Sequence, residues 1–537
     1  MVSITISKKG LMQRIGRKAS EAKVLEALPQ IKASVDKVEG DEIYVEVTGD
    51  RPDLLSVQGI ARAARGFLGI EKGLPKFQLI NDAKRKVIVD KSVAKVRPII
   101  VSAFVENVKI DGQGFKDLIQ TQEKLTLTHG RRRRKVAIGV HDAAHIKFPL
   151  TYKAIPKNSP IAFIPLNKTQ KMTVEQVMRE HEKGMEYGFI LSDKTHYPVI
   201  FDANGEIISF PPIINSAKTT VTTRTTSLFL DVTGTNFEAC NAALAILCQD
   251  LADDGAKVYA LQTGSRTTPE TEPEKMPLDA AKASQLIGLD LTPAQISECL
   301  KKQRIETTAK GNKIEAHIPR YRTDFLHWID LVEEIAIGYG YNRFIPKTPS
   351  IFTIGKLSGE TMLEEKLRDL MAGAGFTEQW TYILTSSAKH LPGEVAKIKN
   401  PVSSDYDAIR STLLPSLFET LEKNTHESYP QKVFEAGEVV VKDEKHHMRS
   451  ATQKRLACVS AHGQANLSEL TPLITQLGKA LGKELGLKKT EKPHFILGRC
   501  ASIWHLGREI GVIGEVHPAL LQKMQVEVPV VALEITV

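Results

Sequence analysis

Four carboxylates crowd the start of one helical segment. Between Ile318 and Tyr341, Asp330, Glu333 and Glu334 stand at i, i+3 and i+4, with Asp324 just upstream. That spacing puts the three on a shared face. Phe325, Trp328, Ile329, Val332, Ile335 and Ala336 gather on the other side. Acids so close repel one another unless a cation lies between them, and a hard ion such as Mg²⁺, held by oxygen ligands and water, would serve. The same residues also fit a solvated acidic face at a helix N-terminus, where the macrodipole favours negative charge. Leu326 and Ile337 fall near the acidic side, which suits a contact surface.

Two other constellations carry chemistry. Pro211–Ser216, which includes Asn215, and Asp231–Thr235, which includes Thr233, each join a backbone turn to small polar side chains. At strand ends such groups can line a pocket for a polar ligand and hold a water; they also fit ordinary turns whose side chains satisfy the local backbone. The run Arg131–Lys135 precedes an apparent strand, Val136–Val140. Five cations can serve RNA phosphates or form a solvated loop, and a positioning role is the favoured reading. No Ser/His/Asp or Cys/His spacing argues for a covalent nucleophile.

The elements that position these groups belong to more than one core, since 537 residues exceed what one core serves, and about three to five domains are expected. Residues 1–85 read as an α+β module, with strands at Val2–Ile6 and Asp41–Val47 and a helix from Leu54 to Phe67 capped by Asp53. Residues 86–270 mix strands (Val87–Val89, Ile99–Val108, Ser227–Val232) with helices, chiefly Phe237–Leu251. Thr267–Pro277 reads as a linker and Ile345–Pro349 as a hinge. They bracket a compact module, 275–346, and precede an α+β domain at 351–537. The net charge of +9 leaves 72 basic residues largely offset by 63 acidic ones, so placement of the surplus matters more than its size. Five cysteines, none in a CxxC pair, argue against a disulfide framework or structural zinc and fit a reducing cytoplasm. No apolar run approaches a membrane span.

Taken in order, the motifs resemble those of the phenylalanyl-tRNA synthetase beta-subunit family in its short archaeal and eukaryotic form. The marks are Asp50–Val57 with Gly59–Arg62, Gln122–Leu125 with Gly130–Asp142, Pro211–Asn215 with Val232–Thr235, Pro319–Asp324 with Asp330–Glu334 and Tyr339–Tyr341, Asn400–Ser403 with Arg410–Pro415, Phe434–Gly437, and Ile513–Pro518. Each is modest alone; their order and spacing are specific.

The resemblance implies an α₂β₂ enzyme that charges phenylalanine onto tRNA(Phe) with ATP, its synthetic site on the alpha subunit. It implies an α+β multidomain chain: the N-terminal module, a mixed editing-type domain, a winged-helix-like module, and a degenerate class II synthetase-like domain with an antiparallel sheet. The last lacks the arginines such ATP sites use, both in Val433–Gly437 and in Gly511–Pro518. Editing has a physical motive, because a pocket shaped for Phe cannot strongly reject an analogue that only adds a hydroxyl. By resemblance, Asp231 accepts from the tyrosine phenol, and Thr233, Asn215 and Ser216 position a water or the ester carbonyl. The sequence departs from the family pattern at Thr226, where a basic residue is usual, and at Asn236, where Asp is usual. Asp324, Asp330, Glu333 and Glu334 match the family's Mg²⁺ pattern, which makes the ion structural or interfacial rather than catalytic. The alternative to editing is a scaffold and tRNA-binding subunit without chemistry.

Overall fold

The computed structural model describes residues 2–16, 18–76 and 78–537. It divides into two compact units, Met1–Lys347 and Thr348–Val537. Both mix helices with sheets, as expected of a multidomain α+β chain.

The first unit opens with a three-stranded antiparallel sheet in which Glu42–Val47 lies between Val2–Ser7 and Ala33–Glu39. The helix Val57–Phe67 packs Ile60, Ala61 and Ala64 into its core. Its N-cap is Ser56, whose Oγ accepts from the Gly59 amide at 2.9 Å. Asp53, expected as the cap, is instead buried in a 2.8 Å bidentate pair with Arg51. The guanidinium two residues away outcompetes the amides, and the helix begins three residues later than its pattern indicates.

A ten-stranded mixed sheet follows. From its middle to one end it runs Leu79–Val89, Lys257–Thr263, Ile99–Glu106, Ser227–Gly234, Val136–Asp142, and Leu79–Val89 pairs in parallel with both Lys257–Thr263 and Leu150–Pro156. Strand side chains alternate between faces. Leu228, Leu230 and Val232 therefore share one core with Cys240, Ala243 and Leu247 of the helix Phe237–Asp253. Phe229 lies in a separate core with Phe104 and Tyr152, and Asp231 and Thr233 share its side of the strand. Asn236 caps that helix by accepting from the Ala239 amide at 2.9 Å, a role Asn fills as well as Asp.

A further three-stranded sheet of this unit places Lys313–Ile318 between Glu274–Asp279 and Glu306–Lys310, packed on Ala280–Ile287, Pro293–Lys302 and Trp328–Tyr339. The stretch Thr267–Pro277 is not a free linker. Thr268 is buried, its Oγ1 donating to Ser102 O at 2.8 Å, and Pro277 lies within an outer strand of this sheet. Proline is tolerated on an edge strand, where its missing amide proton breaks no ladder bond.

In the second unit, Gln431–Lys442, Ser450–Ala461, Val530–Thr536, Arg508–Val516, Phe495–His505 and Gly486–Lys489 form an antiparallel sheet in that order, and short Thr377–Glu378 joins the first strand in parallel. Helices Gly359–Gly373 and Leu467–Leu481 cover one core, and Leu414–Lys423 covers another.

Candidate functional site

Asp231 is 1% exposed and sits mid-strand between Ser102 and Gly139. Its Oδ1 lies 3.3 Å from Nε2 of the buried His141. The other imidazole nitrogen, Nδ1, is 2.8 Å from Thr219 Oγ1, and Thr219 donates to the Ser216 carbonyl at 3.2 Å. Asn215 joins from an adjacent strand, its Nδ2 donating to Val140 O at 3.3 Å while its Oδ1 accepts from Ser209. His141 thus links Asp231 to the Asn215–Thr219 segment. A Cβ on Gly139 would stand 2.4 Å from Asp231 Oδ2, so only glycine leaves room for the carboxylate.

Thr233 is held differently. The buried Arg97 donates from Nε to Thr233 Oγ1 at 3.0 Å and from Nη2 to its carbonyl at 2.6 Å. Burial pulls the Arg97 pKa below its ordinary value, and the Asp231 carboxylate is among the groups that oppose this. The sequence reading brought Asp231, Thr233, Asn215 and Ser216 forward but missed His141, which links Asp231 to the Asn215–Thr219 segment, and Arg97, which holds Thr233 apart from them. His141 had one legible signal: it follows an apolar strand and precedes Asp142 within a quoted motif.

The basic run divides. Gly130 meets Val136 and Thr126 too closely for any Cβ, and Arg131, Arg132 and Arg133 then take φ of +50°, +52° and +66°. This is a left-handed turn built from three L-residues, each at a cost of about 1–2 kcal/mol. Amides of Arg132 and Arg133 donate to the carbonyls of Leu127 and Thr126 at 3.0 and 3.1 Å, closing the end of the helix Gly112–Leu127. Arg133 turns inward, donating to Pro212 O and Ile213 O at 3.0 and 2.7 Å and lying 4.0 Å over the Tyr187 ring. Arg131 and Arg132 remain exposed.

The acidic helix also departs from the simple face. Asp324 is gripped by Arg322 at 2.9 and 2.6 Å, and Arg322 Nη2 lies 2.9 Å from Glu334 Oε1. Burial alone would raise the Asp324 pKa, but Arg322 and Arg51 hold it down at about 2. Asp330 reaches back to accept from the amides of Leu326 and His327, both at 2.7 Å. Glu333 pairs with Lys32 of the N-terminal module at 3.1 Å. Shared helical spacing therefore does not bring the side chains to one point, because each finds a nearer donor. Among the described residues, no three His, Cys, Asp or Glu side chains are gathered as a metal site. The donor set is all oxygen, as a hard ion requires. One observation fits such an ion: Glu334 is 1% exposed, and despite Arg322 neither oxygen receives a well-directed hydrogen bond. Ile337, expected near the acidic side, is buried, whereas Leu326 is 90% exposed.

Comparison with known proteins bears on both units. Residues 345–537 match the phenylalanyl tRNA synthetase beta chain CLM domain, and residues 276–341 match the tRNA synthetase B5 domain. The chain is 39% identical to the phenylalanine–tRNA ligase beta subunit of Archaeoglobus fulgidus over 95% of this chain and 94% of that one. It is 37% identical to that of Pyrococcus furiosus over 100% and 99%. The chain belongs to the phenylalanine–tRNA ligase beta-subunit family. A crystal structure of an N-terminal fragment of the phenylalanyl-tRNA synthetase beta subunit from Pyrococcus horikoshii matches with a TM-score of 0.61 at 36% identity, covering 63% of this chain and all of the fragment.

As a phenylalanine–tRNA ligase beta subunit, the chain is part of an aminoacyl-tRNA synthetase, which confirms the resemblance read from its motifs. In the second unit, Glu435 of this beta subunit is buried and paired at 2.8 Å with Arg410, and Val433 stands two residues before it on the same strand face. No helix among the described residues is long and apolar enough to cross a membrane.

Proposed function

We propose that this beta subunit supports ATP-dependent attachment of phenylalanine to tRNA(Phe) by an alpha subunit, and that its first unit hydrolyses tRNA(Phe) mischarged with tyrosine. The observation that carries editing is the buried Asp231 carboxylate, seated on His141 beside Asn215, Ser216 and Thr219. In this reading the phenol of the misplaced tyrosine donates to Asp231. A water held by Asn215, Ser216 or Thr233 adds to the ester carbonyl carbon. The carbon–oxygen bond to the ribose then breaks, and the ribose oxygen leaves with a proton supplied by that water. An activated ester needs placement and oxyanion donors more than a strong nucleophile. Incubation of the assembled enzyme with Tyr-tRNA(Phe) tests this: tyrosine should be released, and Asp231→Ala should slow release at least 10-fold. A parent enzyme that releases none would leave the scaffold and tRNA-binding reading, which the internal hydrogen bonds of Thr233 and Asn215 favour.

Synthesis is assigned to the alpha subunit because the second unit has Val433 and Gly511–Pro518 where arginines would neutralise phosphate. We read residues 351–537 as a degenerate class II synthetase-like domain, 275–346 as a winged-helix-like module, 86–270 as the editing-type domain, and 1–85 as the N-terminal module. Ile351, Phe352, Ile354, Trp380 and Tyr382 are exposed apolar side chains, a composition suited to a protein interface. An alpha subunit bound in an α₂β₂ assembly is the proposed occupant, and stoichiometric co-purification from a co-expressing host is its test.

For the acidic helix the proposal is a structural Mg²⁺ held by Asp324, Asp330, Glu333 and Glu334 when a partner is bound. The poorly hydrogen-bonded Glu334 and the exposed Leu326, whose amide donates to Asp330, support this. Chelation should then lower the melting temperature of the assembled enzyme but not that of the isolated chain. A cytoplasmic location accords with five unpaired, buried cysteines.

A further inference from the structure

We infer that the left-handed arginine turn is a phosphate-binding element, presenting Arg131 and Arg132 to the single-stranded 3′-terminal backbone of the RNA whose aminoacyl end enters the Asp231 site. The placement rests on the editing reading; the charge chemistry does not. Arg131 and Arg132 are exposed, and neither forms an ion pair among the described residues. The backbone that holds them is one that L-residues avoid, with φ of +50° and +52°. A loop needing only solvation has no cause to keep arginine where glycine fits better.

The turn is also fixed relative to the candidate site from two sides. Arg133 bonds the Pro212 and Ile213 carbonyls, immediately before Asn215. Arg97 spans from the Arg134 carbonyl, at 3.4 Å, to Thr233. The backbone that carries Arg131 and Arg132 is therefore anchored to the segments that carry Asn215 and Thr233, and their planar guanidinium forks match phosphate oxygens.

The test uses the full chain assembled with its co-expressed alpha subunit and measures affinity for uncharged tRNA(Phe) across a salt series. Arg131→Gly/Arg132→Gly relieves the backbone and should melt no lower than the parent. Its plot of log affinity against log salt should be shallower by about 1.4, from about 0.7 per phosphate contact on a single strand. Arg131→Gln/Arg132→Gln, with the backbone as in the parent, should show the same change, and Arg131→Lys/Arg132→Lys should keep the parent slope. Transcripts trimmed of the 3′-terminal single strand should bind parent and variants alike. An unchanged slope in the Gly and Gln variants overturns the inference, as does an equal loss with trimmed and intact RNA. Affinity is read without hydrolysis, so an enzyme that shows these slopes yet releases no tyrosine supports this inference while the editing reading fails.

Discussion

At the scale of residues, the candidate sites are defined by what each carboxylate leans on. Asp231 fits because Gly139 has no side chain. Gly139→Ala should therefore displace the carboxylate, cost about 1–3 kcal/mol from overpacking, and cut tyrosine release at least 10-fold while phenylalanine attachment continues; parallel deacylation and charging assays decide it. Asp324 gives a pH prediction. Its pKa is about 2 in the folded chain against roughly 3.9 unfolded. A depressed carboxylate stabilises above the unfolded value, and that contribution, about 2–3 kcal/mol, is lost as the pH falls from about 4 to about 2. Asp324→Asn should accordingly be less stable than the parent at pH 7, with the gap closing below pH 3 in denaturant titrations. Asp250 runs the other way. Burial pushes it up to about 7 despite Arg62 at 3.1 Å, so its contribution falls as the pH rises from about 4 to about 7.

At the scale of elements, the helix Trp328–Tyr339 carries acids with separate duties. Asp330 holds the amides of Leu326 and His327 at its own N-terminus. Asp330→Ala should cost about 1 kcal/mol, as other lost caps do, read as a lower melting temperature and weaker alpha-subunit assembly before any loss of phenylalanine activation. Measured in the assembled enzyme, adenylate formation lost with assembly and stability intact would contradict this. The helix was legible because its apolar residues recur at helical period. That Asp330 turns back, Glu333 reaches Lys32 and Glu334 is buried on Arg322 was not, since Lys32 lies 301 residues away in sequence.

At the scale of the molecule, the chain splits at Lys347 and Thr348, in the segment that reads as a hinge, and residues 345–357 are exposed and lie outside any helix or strand. Limited proteolysis should cut there first, giving two folded fragments resolved by mass spectrometry. Residues 1–347 expressed alone should release tyrosine from Tyr-tRNA(Phe) without capturing the alpha subunit, and residues 348–537 should capture it. The reverse distribution would refute the division of labour proposed here.

By itself the sequence determined the family, the mixed α+β class, the main strands and helices, and which polar residues to examine. Period, turn chemistry and motif order are local properties, and local patterns carry them. The tertiary structure decided which donor each acid meets. Asp53 looked like a cap until Arg51 took it, and Thr267–Pro277 looked like a linker until Lys313–Ile318 paired with its end. Five adjacent cations could not reveal that Arg133 turns inward while Arg131 and Arg132 face solvent. Partner choice for a charged or polar group depends on distance and burial between segments far apart in the chain, and only folding sets those.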